Sequence, residues 1–194
     1  MKIGIFGGCF NPPHKMHIKI AQNIINDGLV DKVIFVPTEN SYTKAELVDI
    51  NHRIAMLNLV IDRNNMDVSE VSESLNYKYT FEVLDYFNHQ YPDAQIYFIC
   101  GTDNLKDFSR WINYEYILAN YKLLVVARNG DNVDNITQQY TKFVDNIYIT
   151  NIEQNMVSST LIRKALKKND KDYIQSHLDR QVVEYIQNKG FYKS

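Results

Sequence analysis

Short runs of consecutive apolar residues alternate along the chain with segments in which apolar residues recur every three or four positions. Each run has the length of a strand, and strands that are apolar on both faces are typical of a parallel sheet covered by helices on both sides. Four runs are clear, at 2–6, 32–37, 95–101 and 122–128, and two weaker runs, at 67–73 and 144–150, would extend the sheet.

The intervening segments carry apolar stripes at helical spacing, and two or three further helices follow residue 149. The stripes are Ile18, Ala21 and Ile25, then Ile54, Leu57 and Ile61, then Thr80, Leu84, Phe87 and Tyr91. This alternation predicts an α/β fold, a Rossmann-like doubly wound parallel sheet with helices on both faces and a short C-terminal helical extension. Ligands of such sheets bind outside the carboxyl ends of the strands.

Composition narrows the class of protein. With 194 residues the chain is long enough for one domain, 1–194, whose C-terminal helices begin at about residue 158. The net charge of −2 argues against nucleic acid or an anionic membrane as partner. The absence of a membrane-length apolar run or a secretory signal predicts a cytoplasmic protein. Cys9 and Cys100 form no CxxC pair, so reduced thiols are expected.

The segment GGCFNPPHKMH follows the first predicted strand. If that strand ends at Phe6, residues 7–13 form the loop at its carboxyl end, and His14 and His17 open a helix. Glycines allow close backbone approach, and the N-terminus of a helix attracts phosphate. An isolated HxxH is otherwise a pair of polar surface residues or two metal ligands, although no third ligand stands out. The surrounding glycines and prolines favour a phosphate site.

A second candidate segment is MVSSTLIR, residues 156–163. Serines before an apolar run indicate a helix start, so Ser158 or Ser159 is at least an N-cap. Three consecutive hydroxyls with Arg163 one turn later also match a second phosphate cradle, built from helix N–H groups, hydroxyl donors and a guanidinium.

Together the two segments resemble the nucleotidyltransferase superfamily, whose signatures are GxFxPxHxxH-like after strand one and ISSTxIR-like near the C-terminus. Within it the chain is most similar to the bacterial nicotinate mononucleotide adenylyltransferase family. The resemblance covers nearly the whole chain and includes FVPTENSYTK, NHRIAML, ICGTDNLKDFSRW and the ending VVEYIQNKGFY.

This resemblance implies adenylyl transfer from MgATP to nicotinate mononucleotide, which yields nicotinic acid adenine dinucleotide and pyrophosphate in NAD biosynthesis. The partners are then ATP and a pyridine mononucleotide, and Mg²⁺ arrives with the ATP rather than in a carboxylate cage of its own. The resemblance assigns His14, His17, Lys44 and Arg163 to catalysis; Gly7, Gly8, Cys9, Phe10, Gly101, Asp103, Ser158, Ser159 and Thr160 to ATP; and Tyr79, Thr80 and Trp111 to the mononucleotide.

Several of these residues have simpler explanations from local structure. Lys44 also fits a solvated loop, Asp103 and Thr80 fit helix N-caps, and Trp111 fits the core. Arg53, in the segment NHRIAML, fits the family as well as a structural role.

Alternative functions follow from the same residues. One is transfer to another acceptor, such as nicotinamide mononucleotide or phosphopantetheine, and another is a non-catalytic nucleotide-binding protein. Met16 and Cys9 depart from the glycine and the serine or threonine that are common in the family. The sequence leaves the choice between nicotinate and nicotinamide open, and it leaves the oligomeric state open.

Overall fold

The computed structural model describes residues 1–38, 47–71, 77–128, 131, 133, 137–154 and 157–193. Their strands are β1 (Lys2–Gly8), β2 (Lys32–Pro37), β3 (Met66–Val68), β4 (Gln95–Gly101), β5 (Lys122–Arg128) and β6 (Ile147–Gln154). The α-helices are α1 (Lys15–Asn26), α2 (Ile50–Asn58), α3 (Thr80–Gln90), α4 (Thr102–Lys106), α5 (Tyr114–Asn120), α6 (Ser159–Lys168), α7 (Lys171–His177) and α8 (Arg180–Lys189). Two 3₁₀ segments, Phe108–Arg110 and Gln138–Asn146, lie between them.

The strands form one sheet in the order β3-β2-β1-β4-β5-β6, and every neighbouring pair is parallel. This is the Rossmann order, in which the chain winds outward first on one side of β1 and then on the other. The predicted fold class is therefore confirmed. The strand order reverses between β1 and β4, and a doubly wound sheet binds its ligands at that point.

Buried apolar residues cover both faces of the sheet, which explains why the strands are continuously apolar. On one face Phe6 and Phe35 pack with residues of α1, α2 and the C-terminal helices α6, α7 and α8. On the other face Ile5 and Phe98 pack with α3, α4 and α5. The C-terminal helices thus bury their apolar stripes against the sheet.

The predicted end of the first strand was wrong. β1 continues past Phe6 to Gly8, with Gly7 opposite Val36 and Gly8 opposite Pro37 of β2. The loop that follows is therefore residues 9–14 rather than 7–13. Glycines in a sequence usually indicate a loop, but here the backbone of Gly7 and Gly8 continues its parallel pairing with β2, which needs no side chain.

The two weaker strand predictions were correct in existence and wrong in extent. β3 is only Met66–Val68, and β6 runs from Ile147 to Gln154, later than predicted. Residues 138–146, which include part of the predicted run, are a 3₁₀ segment. Both lie next to polar sequence, where alternation gives little indication of strand limits.

The helical stripes were predicted in the right segments but not always at the right positions. In α1 the fully buried residues include Ile20 and Ile24, while Ile18 and Ile25 are only partly buried at the edge of the stripe. Ile61 lies beyond the end of α2. Among the described helices, none combines the length and the apolar composition needed to span a lipid bilayer.

Candidate active site

The candidate site lies where β1 and β4 end side by side. Gly8 closes β1, and the β1–α1 loop, residues 9–14, folds back over it: a Cβ on Gly8 would lie only 3.1 Å from the Phe10 ring. Phe10 has a positive φ of 47° and a buried side chain. A side chain at Gly8 would therefore press on the Phe10 ring, which would have to shift by a few tenths of an ångström.

The backbone of the loop has a defined orientation. The Gly8 carbonyl accepts a hydrogen bond from the Thr38 N–H at 3.0 Å, and the Cys9 carbonyl accepts one from Arg53 Nη1 at 2.7 Å. In a trans peptide unit the N–H points opposite to the carbonyl. The N–H groups of Cys9 and Phe10 therefore point away from Thr38 and Arg53.

The two motif histidines lie together at the start of α1. His14 is the N-cap, and its ring stacks on that of His17 with 3.6 Å between centroids. The His14 N–H donates to Nδ1 of His17 at 3.2 Å. Because Nδ1 accepts this bond, the proton of neutral His17 is on Nε2. The Phe6 and Phe10 ring edges pack against His17 and hold its orientation.

Both histidines are neutral at pH 7. Burial, and secondarily the nearby His177, lowers the pKa of His14 from its usual value near 6.5 to about 4. Burial, and then His14, lowers the pKa of His17 well below the same value. His14 Nδ1 is buried and has no hydrogen-bond partner among the described residues. The pair thus offers neutral imidazole groups beside a helix N-terminus.

The second motif is held directly against the first. The Ser159 hydroxyl donates to the Pro12 carbonyl at 2.9 Å, and buried Arg163 donates from Nη1 to the Asn11 carbonyl at 2.8 Å. Residues 12 and 13 are prolines without N–H groups, so the carbonyls of this part of the loop make its hydrogen bonds. The structure therefore brings together two segments that are 147 or more positions apart.

The start of α6 confirms the simpler explanation for one serine. Ser158 is the N-cap, and its hydroxyl accepts a hydrogen bond from the Leu161 N–H at 3.2 Å. Thr160 accepts a longer bond from Arg163 Nη2 at 3.4 Å. The hydroxyls of Ser158 and Thr160 thus have local partners, that of Ser159 bonds the β1–α1 loop, and the positive end of α6 lies beside that loop.

The loop after β4 corrects the explanation of Asp103 as an N-cap. The N-cap of α4 is Gly101, and Asp103 lies in the first turn. Its Oδ1 sits over Gly101, only 2.4 Å from where a Cβ would be. The buried Thr102 hydroxyl donates to Asp131, which also pairs with Lys106 at 2.5 Å. Glycine at position 101 therefore lets the carboxylate of Asp103 lie across the end of β4.

The three residues assigned to the mononucleotide occupy two places. Tyr79 is exposed, forms the N-cap of α3 and stacks on Phe81, so the explanation of Thr80 as the cap was wrong. Trp111 is half-buried against Phe98 and Phe108, which lie on the core face of β4 and after α4. Trp111 is thus partly core and partly open to solvent.

Lys44 lies outside the described residues, but the residues on either side of that segment are described. Arg53 is fully buried, and its guanidinium donates to the carbonyls of Thr38 and Val48 as well as Cys9, at 2.7 to 3.0 Å. Arg53 therefore ties the β1–α1 loop to the backbone on both sides of segment 39–46.

Sequence reasoning missed two residues of the site. Buried Asn11 accepts hydrogen bonds on its side-chain oxygen from the Val48 N–H at 3.2 Å and from the Tyr192 hydroxyl at 2.6 Å. Asn11 lies inside the first motif and Tyr192 inside the chain's last quoted segment, so the sequence marked both places without assigning them a role.

Among the described residues, no group of three His, Cys, Asp or Glu side chains could hold a metal ion. The donor set of the site consists of backbone N–H groups, imidazole and guanidinium. Such groups fit anionic oxygens, whereas Mg²⁺ prefers oxygen ligands.

Comparison with known proteins agrees with this geometry. The cytidylyltransferase-like family model matches residues 5–165. The chain is 36% identical to a probable nicotinate-nucleotide adenylyltransferase of Endomicrobium trichonymphae over 99% of both chains. It is 31% identical to the nicotinate-nucleotide adenylyltransferase of Bacillus subtilis, covering 100% of this chain and 99% of the relative.

The fold has solved counterparts. Plasmodium falciparum nicotinic acid mononucleotide adenylyltransferase complexed with NaAD superposes with a TM-score of 0.85 at 21% identity, covering 98% of this chain and 97% of that one. At that identity the likeness shows the fold. The full-length relatives and the family model show more: the chain belongs to the cytidylyltransferase-like family, as a member of its nicotinate-nucleotide adenylyltransferases.

Proposed function

We propose that the site transfers the adenylyl group of MgATP to nicotinate mononucleotide, with the phosphates held between the β1–α1 loop and the start of α6. The observation that carries the proposal is the joining of the two motifs by Ser159 and Arg163, which places two helix N-termini and two histidines around one loop. The names of the full-length relatives support the choice of acceptor.

In the reaction an oxygen of the mononucleotide phosphate attacks the α-phosphorus of ATP in line. A new P–O bond forms, the bond to the bridging oxygen of the β-phosphate breaks, and pyrophosphate leaves with that electron pair. The protein's task is to position the two phosphates and to stabilise charge as the phosphorus becomes five-coordinate.

The loop and the histidines would supply the donors. The Cys9 and Phe10 N–H groups belong to the peptide units whose carbonyls, of Gly8 and Cys9, are held by Thr38 and Arg53, and they point to the opposite side. The neutral His17 carries its proton on Nε2, and the His14 ring stacks on it at the N-terminus of α1. Preorganised donors of this kind stabilise a developing negative charge without reorganising.

Charge is supplied by groups around these donors. Arg163 adds a positive charge at the joint of the two motifs, and Lys44 is proposed to add another from segment 39–46. Mg²⁺, arriving with ATP, would neutralise negative charge on the phosphates. Asp103 at the end of β4 and the half-buried Trp111 are proposed to contact the nucleotide and the pyridine ring, with Tyr79 and Thr80 on the same side.

The test compares acceptors at matched concentrations. Pyrophosphate release is measured with MgATP and nicotinate mononucleotide, nicotinamide mononucleotide or phosphopantetheine. We expect clear preference for nicotinate mononucleotide and a dinucleotide product. Preference for another acceptor would reassign the substrate, and no turnover with any acceptor would contradict adenylyl transfer.

The role of His17 is tested by His17→Ala. We expect kcat to fall by about 10²- to 10³-fold, with a much smaller change in KM for the mononucleotide, because the contact strengthens in the transition state. His89→Ala is the matched control, since His89 is an exposed histidine at the end of α3 and its ring contacts only the Asp85 carbonyl among the described hydrogen bonds. Equal losses in kcat and in mononucleotide binding would contradict the proposed role.

A further inference from the structure

Tyr192, near the C-terminal end, reaches the β1–α1 loop with its hydroxyl. The hydroxyl donates to Oδ1 of Asn11 at 2.6 Å across 181 positions of sequence, and both side chains are buried, with 9% and 2% of their surface exposed. A hydrogen bond between two buried side chains is stronger evidence of function or fold specificity than a surface contact.

Asn11 is the point where four parts of the chain meet. Its side-chain oxygen also accepts from the Val48 N–H at 3.2 Å, and its backbone carbonyl accepts from Arg163 at 2.8 Å. It stands two residues after Cys9, whose N–H is proposed to contact phosphate, and three before His14. Whatever holds Asn11 therefore holds the middle of the loop.

The direction of the Tyr192 hydrogen bond is settled by its surroundings. Burial raises the pKa of the Tyr192 hydroxyl well above its usual value, although the guanidinium groups of Arg163 and Arg53 lower it in part. The hydroxyl is therefore protonated at neutral pH. It acts as a donor, which is the role that the Asn11 amide oxygen requires.

We propose that Tyr192 is a positioning residue for adenylyl transfer, which holds Asn11 and, through it, sets the position of the loop that faces the phosphates. The inference rests on the proposed function. The Tyr192 ring packs in the core beside Phe191, so the ring anchors the end of the chain while the hydroxyl sets the loop. A variant that lacks only the Tyr192 hydroxyl therefore tests the positioning of the loop while the packing of the ring is kept.

The experiment uses Tyr192→Phe in the full chain, with Tyr121→Phe as matched control. Tyr121 is equally buried, and its hydroxyl donates to Asp85 on the α3 side of the molecule, away from the loop. Steady-state kinetics with ATP and nicotinate mononucleotide are measured beside the melting temperature. We expect Tyr192→Phe to lower kcat/KM for ATP roughly tenfold, the equivalent of one lost buried hydrogen bond, and to leave KM for the mononucleotide within about twofold.

Tyr121→Phe is expected to shift the melting temperature to a similar extent and to leave both kinetic constants within about twofold. A wild-type-like kcat/KM in folded Tyr192→Phe would overturn the inference. So would a loss that disappears when activity is normalised to the folded fraction. Absence of dinucleotide formation by the wild-type enzyme would overturn the proposed function and this inference together, so the two failures are distinguishable.

Asn11 supplies a second, independent test should Tyr192→Phe fold poorly. Asn11→Leu removes the oxygen that accepts from Tyr192 and Val48. We expect Asn11→Leu to lose at least as much activity as Tyr192→Phe. The double variant Asn11→Leu/Tyr192→Phe should be no slower than Asn11→Leu alone, and additive losses would overturn the proposal.

Discussion

At the scale of single residues, the site combines two neutral histidines with a loop backbone whose orientation is fixed by hydrogen bonds. His14 is the clearest case, because its ring is buried at a helix N-terminus, where burial and His177 both disfavour its charged form. A neutral imidazole there can donate to phosphate without the cost of burying a cation in the free enzyme. The consequence is measurable in the pH dependence of stability.

Because the pKa of His14 is lowered to about 4 in the folded protein, the unfolded chain binds the proton more readily between pH 6.5 and 4. Stability from this residue is fully present above pH 6.5 and is lost as the pH falls, by about 3 kcal/mol in total. Urea unfolding of wild type and His14→Asn between pH 7 and 4.5 measures the effect. We expect the slope of stability with pH to be shallower in the variant, and parallel curves would contradict the lowered pKa.

At the scale of elements, two helix starts define the site, and α6 is the more testable. Ser158 caps α6 and Asp170 caps α7, each through a side-chain oxygen that accepts a backbone N–H at 3.1 or 3.2 Å. The two caps are alike in chemistry, but among the described hydrogen bonds those to the β1–α1 loop come from α6 and not from α7. Comparing variants of the two N-caps therefore distinguishes the effect of lost helix stability from the effect of disturbing the α6 N-terminus beside the loop.

Ser158→Ala and Asp170→Ala should each lower the free energy of unfolding by roughly 1 kcal/mol, the usual cost of losing an N-cap. Only Ser158→Ala should also raise KM for ATP, because fraying of α6 displaces Ser159 and Thr160 beside the loop. Denaturant unfolding and ATP-dependent kinetics check the two expectations. Equal changes in KM for both variants would show that the start of α6 has no special part in binding ATP.

The elements also show what the sequence could predict and why the rest escaped it. The strand β4 and the start of α6 were predicted correctly because continuous apolar runs and a serine cap are local signals. The end of β1 was missed because Gly7 and Gly8 look like loop residues, although parallel pairing with β2 continues through both. The alternative explanation of Asp103 as the N-cap of α4 was wrong, because Gly101 fills that position by backbone geometry alone.

At the scale of the whole molecule, the doubly wound topology brings distant segments to the carboxyl ends of β1 and β4, and the sequence predicted that convergence. It could not predict the bonds that complete it. Asn11 and Tyr192 are 181 positions apart, and no periodicity or local motif encodes a contact between them. The hydrogen bonds of the Arg53 guanidinium could not be predicted either, because its partners are backbone carbonyls, which every residue possesses.

Arg53 joins three backbone segments beside the site through hydrogen bonds. It is completely buried and donates to carbonyls of the β1–α1 loop, of the residue after β2 and of the segment before α2. Arg53→Met keeps much of the side-chain volume and leaves these carbonyls without that donor. Since buried groups that lose a charged partner cost several kcal/mol, we expect the free energy of unfolding to fall by roughly 3 kcal/mol.

The matched control is Arg180→Met, because Arg180 is highly exposed and pairs only with Glu184 one turn away among the described ion pairs. An exposed pair of this kind contributes little, so the control should leave the free energy of unfolding nearly unchanged. Urea unfolding measures both variants, and adenylyl transfer at a temperature where each is folded measures the site. If Arg53 acts on the whole molecule, folded Arg53→Met should still turn over more slowly, since the loop and the flanks of segment 39–46 have lost their common anchor. If the folded fraction of Arg53→Met turned over at the wild-type rate, Arg53 would contribute to stability and not to the site.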